Sequence, residues 1–249
     1  MVLLLKLLLT PILITLATLG GRRWGPAFSG WFVGFPLTSG PVSIILALQY
    51  GTGFAAHAAV GNLGGMACIS VFCLAYTATA RFRGACASLA AGVAAYLLAT
   101  FVWNLFPRPL WVTAAISLAV NGLVILLIPK GAAPPPAAVP SRWDLPSRIV
   151  IATAFVFALT TAAGLMGPHL SGLITPFPIF VSVLAVFAHR QQGAAASRRF
   201  LRGHAISLHG FAAFFLVVGL LLPSLVALGT YLLATLAAVV VNGVTLRVT

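Results

Sequence analysis

Residues 25–41 read GPAFSGWFVGFPLTSGP, and residues 167–178 read GPHLSGLITPFP. Gly25, Pro26, Ser29, Gly30, Phe35 and Pro36 recur as Gly167, Pro168, Ser171, Gly172, Phe177 and Pro178, each 142 residues later. Six identities at one offset over twelve positions imply an internal duplication. Both copies lie in apolar surroundings, and both place prolines where an unbroken helix would need a backbone donor. Breaks at corresponding positions of two halves point to discontinuous helices at a transport site.

The surroundings decide the class. Of 249 residues, 61% are hydrophobic and 6% charged, with mean hydropathy +1.12. A soluble domain could not hide that much apolar surface, so the chain reads as an all-α, polytopic membrane protein. Fourteen Lys and Arg stand against a single acid, Asp144, for a net charge of +13. The basic residues are scattered between apolar runs rather than gathered in a patch, which argues against nucleic acid as a partner. Cys68, Cys73 and Cys86 have no metal-ligand spacing and read as small apolar helix residues. The opening run MVLLLKLLLTPILITLATLGG lacks an A-x-A-like cleavage site and leads into Arg22 and Arg23, so it reads as a first span.

Runs bounded by Gly, Pro and Arg give nine expected spans, at about 2–19, 25–51, 58–80, 84–104, 110–128, 148–166, 168–189, 203–222 and 224–246. The charges test this count. Arg22, Arg23, Arg81, Arg83, Lys130, Arg142, Arg148, Arg190, Arg198, Arg199, Arg202 and Arg247 fall on one side, and Lys6 and Arg108 on the other. By the positive-inside rule the N-terminus is outside and the C-terminus cytoplasmic, in a plasma membrane. Richness in Ala, Gly, Pro and Arg points to a bacterial inner membrane.

The expected layout is a repeat of four spans over residues 1–104, a linker span and Pro-rich cytoplasmic loop over 105–147, and a second four-span repeat over 148–249. An odd span between the repeats inverts the second one. A further echo, YLLAT at 96–100 and 231–235, has an offset of 135, which suggests that a few residues were lost between the paired segments. Val120-Asn121-Gly122 resembles Val241-Asn242-Gly243, but this pairing would relate different helices, and it carries less weight.

Spans two and seven are broken, at residues 35–40 and 176–178, and both breaks fall near the bilayer midplane. Ser39 or Gly40 is expected to cap a half-helix with Pro41 at its first position, and Thr175 to cap one starting at Pro176. Two helix N-termini converging at midplane suit an anionic or polar group. The candidate substrate-binding residues are therefore Ser29, Thr38, Ser39, Gly40, Ser171, Thr175 and Pro176. The Ser-Gly pairs have an equally good plain reading as close helix contacts. His204 and His209, five apart, face different ways and do not read as a metal pair, and His57 and His169 have no assigned role. Trp24, Trp103, Trp111 and Trp143 flank spans as interfacial anchors. The basic stretch 198–202 reads as an orienting loop, with attraction to anionic lipid as a secondary effect.

No carboxylate lies within any expected span, so the acidic relay common in cation-coupled carriers is missing. No catalytic constellation, metal set or cofactor signature is present, so an enzyme is not expected. The layout resembles that of inverted-repeat secondary transporters with crossed discontinuous helices, over both repeats. That resemblance implies a small-solute permease working by alternating access, with solute and lipid as partners and a homo-oligomer as an option. A channel or lipid-translocating protein could use the same breaks, and an accessory subunit of a membrane complex is the third class.

Overall fold

The computed structural model describes residues 2–130, 142–165 and 177–246. Among these the chain is all-helical: α1 (Val2–Trp24), α2 (Pro26–Val33), α3 (Ser39–Tyr50), α4 (Thr52–Thr79), α5 (Ala85–Asn104), α6 (Leu110–Leu127), α7 (Asp144–Leu165), α8 (Ile179–Leu221) and α9 (Ala227–Thr245). By length and composition α4, α5, α6, α8 and α9 could each cross a membrane. Leu98, Leu126, Leu228, Leu232 and Val240 stand exposed on α5, α6 and α9, which suits an apolar solvent.

The 43-residue helix α8 is the hub, packing against α2, α4, α5, α6, α7 and α9. It is broken at Gly193 (φ 83°, ψ 178°) into a leading segment, 179–192, and a trailing segment, 194–221. The break between α3 and α4 has the same form, a single Gly51 at φ 89°, ψ 162°. That region of backbone space is open essentially to glycine alone. Each glycine turns a short apolar helix into a long one with no loop between them.

The offset of 142 recurs in the backbone. Gly51 and Gly193 lie 142 residues apart, as do the ends of α4 and α8 at Thr79 and Leu221 and the starts of α5 and α9 at Ala85 and Ala227. This corrects the offset of 135 taken from the YLLAT echo. Tyr96 stands eleven residues into α5 and Tyr231 four into α9, so the echo is out of register with the helices that carry it. Chain length between the paired helices is unchanged.

Four boundaries differ from the sequence reading. The second half-helix starts at Ile179 with Pro178 as N-cap, not at Pro176 with Thr175 as cap, because the turn across Pro178 has to close first. Helix α3 begins at Ser39 with Thr38 as N-cap, so Pro41 falls third in the first turn, where a missing N–H costs nothing. The basic stretch around Arg198, Arg199 and Arg202 is helical, not a loop, because the trailing segment of α8 already starts after Gly193. Arg202 donates to the carbonyls of Ile125 and Ile128, satisfying the end of α6. Helix α7 begins at Asp144, one turn before the expected span.

Two apolar cores flank α8. One gathers Ile14, Phe72, Tyr76, Tyr96, Leu184 and Phe200; the other gathers Leu63, Met66, Phe214, Phe215 and Tyr231.

Candidate functional site

The two Phe-Pro breaks fold alike. Leu37 N–H donates to Phe35 O at 2.8 Å across Pro36, and Ile179 N–H donates to Phe177 O at 2.9 Å across Pro178. With Pro178 at φ −79° and ψ 66°, the second is an inverse γ-turn. Each turn then starts a helix through its proline carbonyl: Gly40 N–H donates to Pro36 O at 2.8 Å, and Ser182 N–H to Pro178 O at 2.9 Å. Every one of these pairs keeps the offset of 142.

The breaks meet. Phe35, Leu37 and Thr38 of the first, with Phe180 and Leu184 just beyond the second, line a cleft completed by Leu13 and Ile14 of α1 and Phe32 and Val33 of α2. The cleft is narrow, with about 20 Å³ of space, room for about one water molecule. Among the described residues Thr38 is its only polar side chain. Two tyrosines reach across between the halves: Tyr96 of α5 packs edge-on against Phe177 with ring centres 5.4 Å apart, and the Tyr231 hydroxyl of α9 shares a hydrogen bond with Ser43 Oγ of α3 at 2.9 Å.

The remaining candidates fall in different places. Ser39 opens α3 beside Thr38. Gly40 is buried away from the cleft, where an added Cβ would stand 3.3 Å from Phe214 Cζ. Its N–H, expected to be free for a solute, is taken by Pro36 O, and that of Val42 is taken by Thr38 O. Ser29 is buried against α1, its Cβ 2.9 Å from where a Cβ on Gly21 would sit. Its neighbour Gly30 lets α2 cross α8 in backbone contact. A Cβ there would overlap the Phe200 carbonyl, and one on Gly203 would overlap that of Ala27. The packing role of the first Ser-Gly pair is thus direct. Ser171, Thr175, Pro176 and His169 lie outside the described residues.

Sequence reasoning missed a polar cluster where α1 ends and α7 begins. Asp144 Oδ2 accepts from Arg22 at 2.9 Å and Oδ1 from Arg148 Nε at 2.9 Å. Gln191 also donates to Asp144 Oδ1, while its Oε1 accepts from Arg148 at 2.7 Å. The Arg148 guanidinium lies over the Phe187 ring, 4.7 Å from its centre. Asp144 is buried outside the expected spans. Burial raises its carboxyl pKa, but hydrogen bonds from Gln191, Arg148 and Arg22 outweigh that and hold it below its ordinary value. The signal available in the sequence was the solitary acid itself, since a lone carboxylate among fourteen cations has its choice of partners.

Two buried asparagines brace α8 from opposite sides. Asn121 of α6 donates to Ala205 O at 2.9 Å and accepts from Ser70 Oγ of α4 at 2.9 Å. Asn242 of α9 donates to Ser207 Oγ at 3.0 Å. Of the histidines, His57 and His209 bond to backbone carbonyls of their own helices, at Gly53 and Ile206. His204 is buried on α8, where α2 crosses at Gly30. No group of three metal-capable side chains occurs among the described residues. Comparison with known protein families, curated proteins and solved structures found no match.

Proposed function

We propose that the chain is a small permease that moves a solute by alternating access between two inverted repeats of four spans around α6. The observation that carries this reading is the pair of Phe-Pro turns, alike in hydrogen bonding and 142 residues apart, with the first turn and the helix that follows the second lining one cleft. Packing alone has no need for two broken helices at one place, because each break forfeits helix hydrogen bonds in a medium that offers few replacements. The recurring glycine hinges support a repeat of whole helical units, and the twelve-to-two charge split supports an N-terminus outside and a C-terminus in the cytoplasm.

The cleft narrows the solute. An anion would meet one hydroxyl and apolar walls, and the N–H groups of Leu37, Gly40 and Val42 are already bonded. Desolvating a charge there would cost far more than Thr38 could return. The favoured solute is a mainly apolar molecule with a hydrogen-bonding group for Thr38, rather than a bare anion. The same lining supports lipid translocation as the second reading.

Proteoliposomes carrying the full chain separate the two. Saturable uptake from a panel of radiolabelled short-chain acids, aromatic amino acids and amines, lost in Thr38→Trp, is the expected result. Scrambling of a fluorescent phospholipid without saturable uptake would move the assignment to lipid. Neither activity in correctly inserted protein would overturn both.

A further inference from the structure

We propose that the Asp144 cluster is the gate that closes the cleft from the side where α1 ends, an inference that rests on the permease reading. Two walls of the cleft, α1 and α8, also carry members of the cluster. Ile14 of α1 lines the cleft, and Arg22 lies eight residues further along, about 12 Å at helical rise. On α8, Leu184 lines the cleft and Gln191 lies seven residues further, about 10 Å away along the axis. Asp144 takes Arg22 with one oxygen and Arg148 and Gln191 with the other. A carboxylate on α7 thus clasps α1, from the first half of the chain, to the leading segment of α8, from the second.

The position is suited to opening. Gln191 stands two residues before the Gly193 hinge, so the leading segment can swing on that hinge while the trailing segment keeps its packing. Arg22 is the weak member of the clasp. Its side chain is 38% exposed, whereas that of Arg148 is 9% exposed and rests on Phe187. Release of Arg22 removes the charged tie between α1 and the α7–α8 pair while leaving the Asp144–Arg148–Gln191 set intact. A rigid staple would bury all its members alike; a gate needs a bond that water can compete for.

The test reads cleft access directly and needs no solute. In nanodisc-reconstituted full chain with Cys68, Cys73 and Cys86 replaced by alanine, Thr38→Cys is labelled with a membrane-impermeant maleimide. Arg22→Gln and Asp144→Asn should each speed labelling about tenfold, the factor for one charge-assisted hydrogen bond. Asp144→Glu should restore part of the slow rate. Ala234→Cys, buried in the far core, reports general loosening and should stay unlabelled in every background. An unchanged rate at Thr38→Cys in folded Arg22→Gln protein would overturn the gate, and so would an equal rise at Ala234→Cys. If labelling follows the expected pattern but no solute or lipid is ever moved, the permease reading fails while the clasp stands.

Discussion

Gly51 and Gly193 hold one backbone conformation, φ 89° and ψ 162° against φ 83° and ψ 178°, at matching points of the two halves. Neither has any atom within 4 Å of where a Cβ would stand, so space is not the reason for glycine. Backbone strain alone is the reason. Gly51→Ala and Gly193→Ala should each lower stability by about 1–3 kcal/mol. Gly243→Ala, in open space on α9 at ordinary helical φ, should be neutral or stabilise by up to about 1 kcal/mol. Thermal unfolding in detergent measures all three; a harmless Gly193→Ala would mean that the hinge is not held in this geometry.

Asn121 and Asn242 brace α8 at residues two apart, Ala205 and Ser207. Asn121→Leu should cost on the order of 1–3 kcal/mol, because it removes two buried hydrogen bonds and leaves Ser70 only its bond to Met66 O. Asn121→Asp should cost more, since it buries a carboxylate and removes the amide donor that bonds Ala205 O. If Asn121→Asp unfolds at the same temperature as the parent, the site is not dry.

Much of this was legible from residues 25–41 and their echo, because Phe-Pro and Ser-Gly pairs impose local geometry that does not depend on what lies nearby. That a break near 35–40 and a second near 176–178 would each be followed by a half-helix follows from it, although the structure puts the first at 34–38 and starts the second half-helix at Ile179. Gly51 and Gly193 keep the same offset but sit among Tyr50, Thr52 and Gln192, Ala194, which share nothing, so no motif drew attention to them. Asn121 and Asn242 were set aside as a chance likeness, and their shared role depends on α8 passing between α6 and α9, a tertiary fact. Conversely, YLLAT looked like an aligned pair, yet Tyr96 and Tyr231 sit at different heights. The Asp144 cluster joins residues 22, 144, 148 and 191, a spacing invisible before the helices are packed.

The linkage of Asp144 to pH has a definite sign. Its folded pKa is depressed below the ordinary 3.8, so the unfolded chain binds the proton more readily. The stability it contributes is complete above the unfolded value and is lost as pH falls through the folded one. Melting temperature should therefore drop on acidification below about pH 4. Asp144→Asn should flatten that drop and, by leaving buried Arg148 without a countercharge, cost about 3 kcal/mol at neutral pH. An acid drop of equal size in parent and variant would place the titrating group elsewhere.

Thr38 and Gly40, two residues apart, separate solute contact from packing. Thr38 faces the cleft and Gly40 faces Phe214, itself held between Phe215 and Tyr231. Gly40→Ala requires a shift of a few tenths of an ångström at the end of one ring, so the folded protein should tolerate it with transport nearly intact. Gly40→Trp overpacks that contact and should lose folded protein before it loses transport. Thr38→Val keeps the shape and removes one hydroxyl, which should weaken apparent affinity about fivefold, the equivalent of about 1 kcal/mol, without changing the amount of inserted protein. Thr38→Trp fills the cleft and should abolish flux. Yield by size-exclusion chromatography and uptake by proteoliposomes read the two effects apart. Should Gly40→Ala abolish flux in well-folded protein while Thr38→Trp leaves it unchanged, the solute passes along the Phe214 side of α3 and not through the cleft between the breaks.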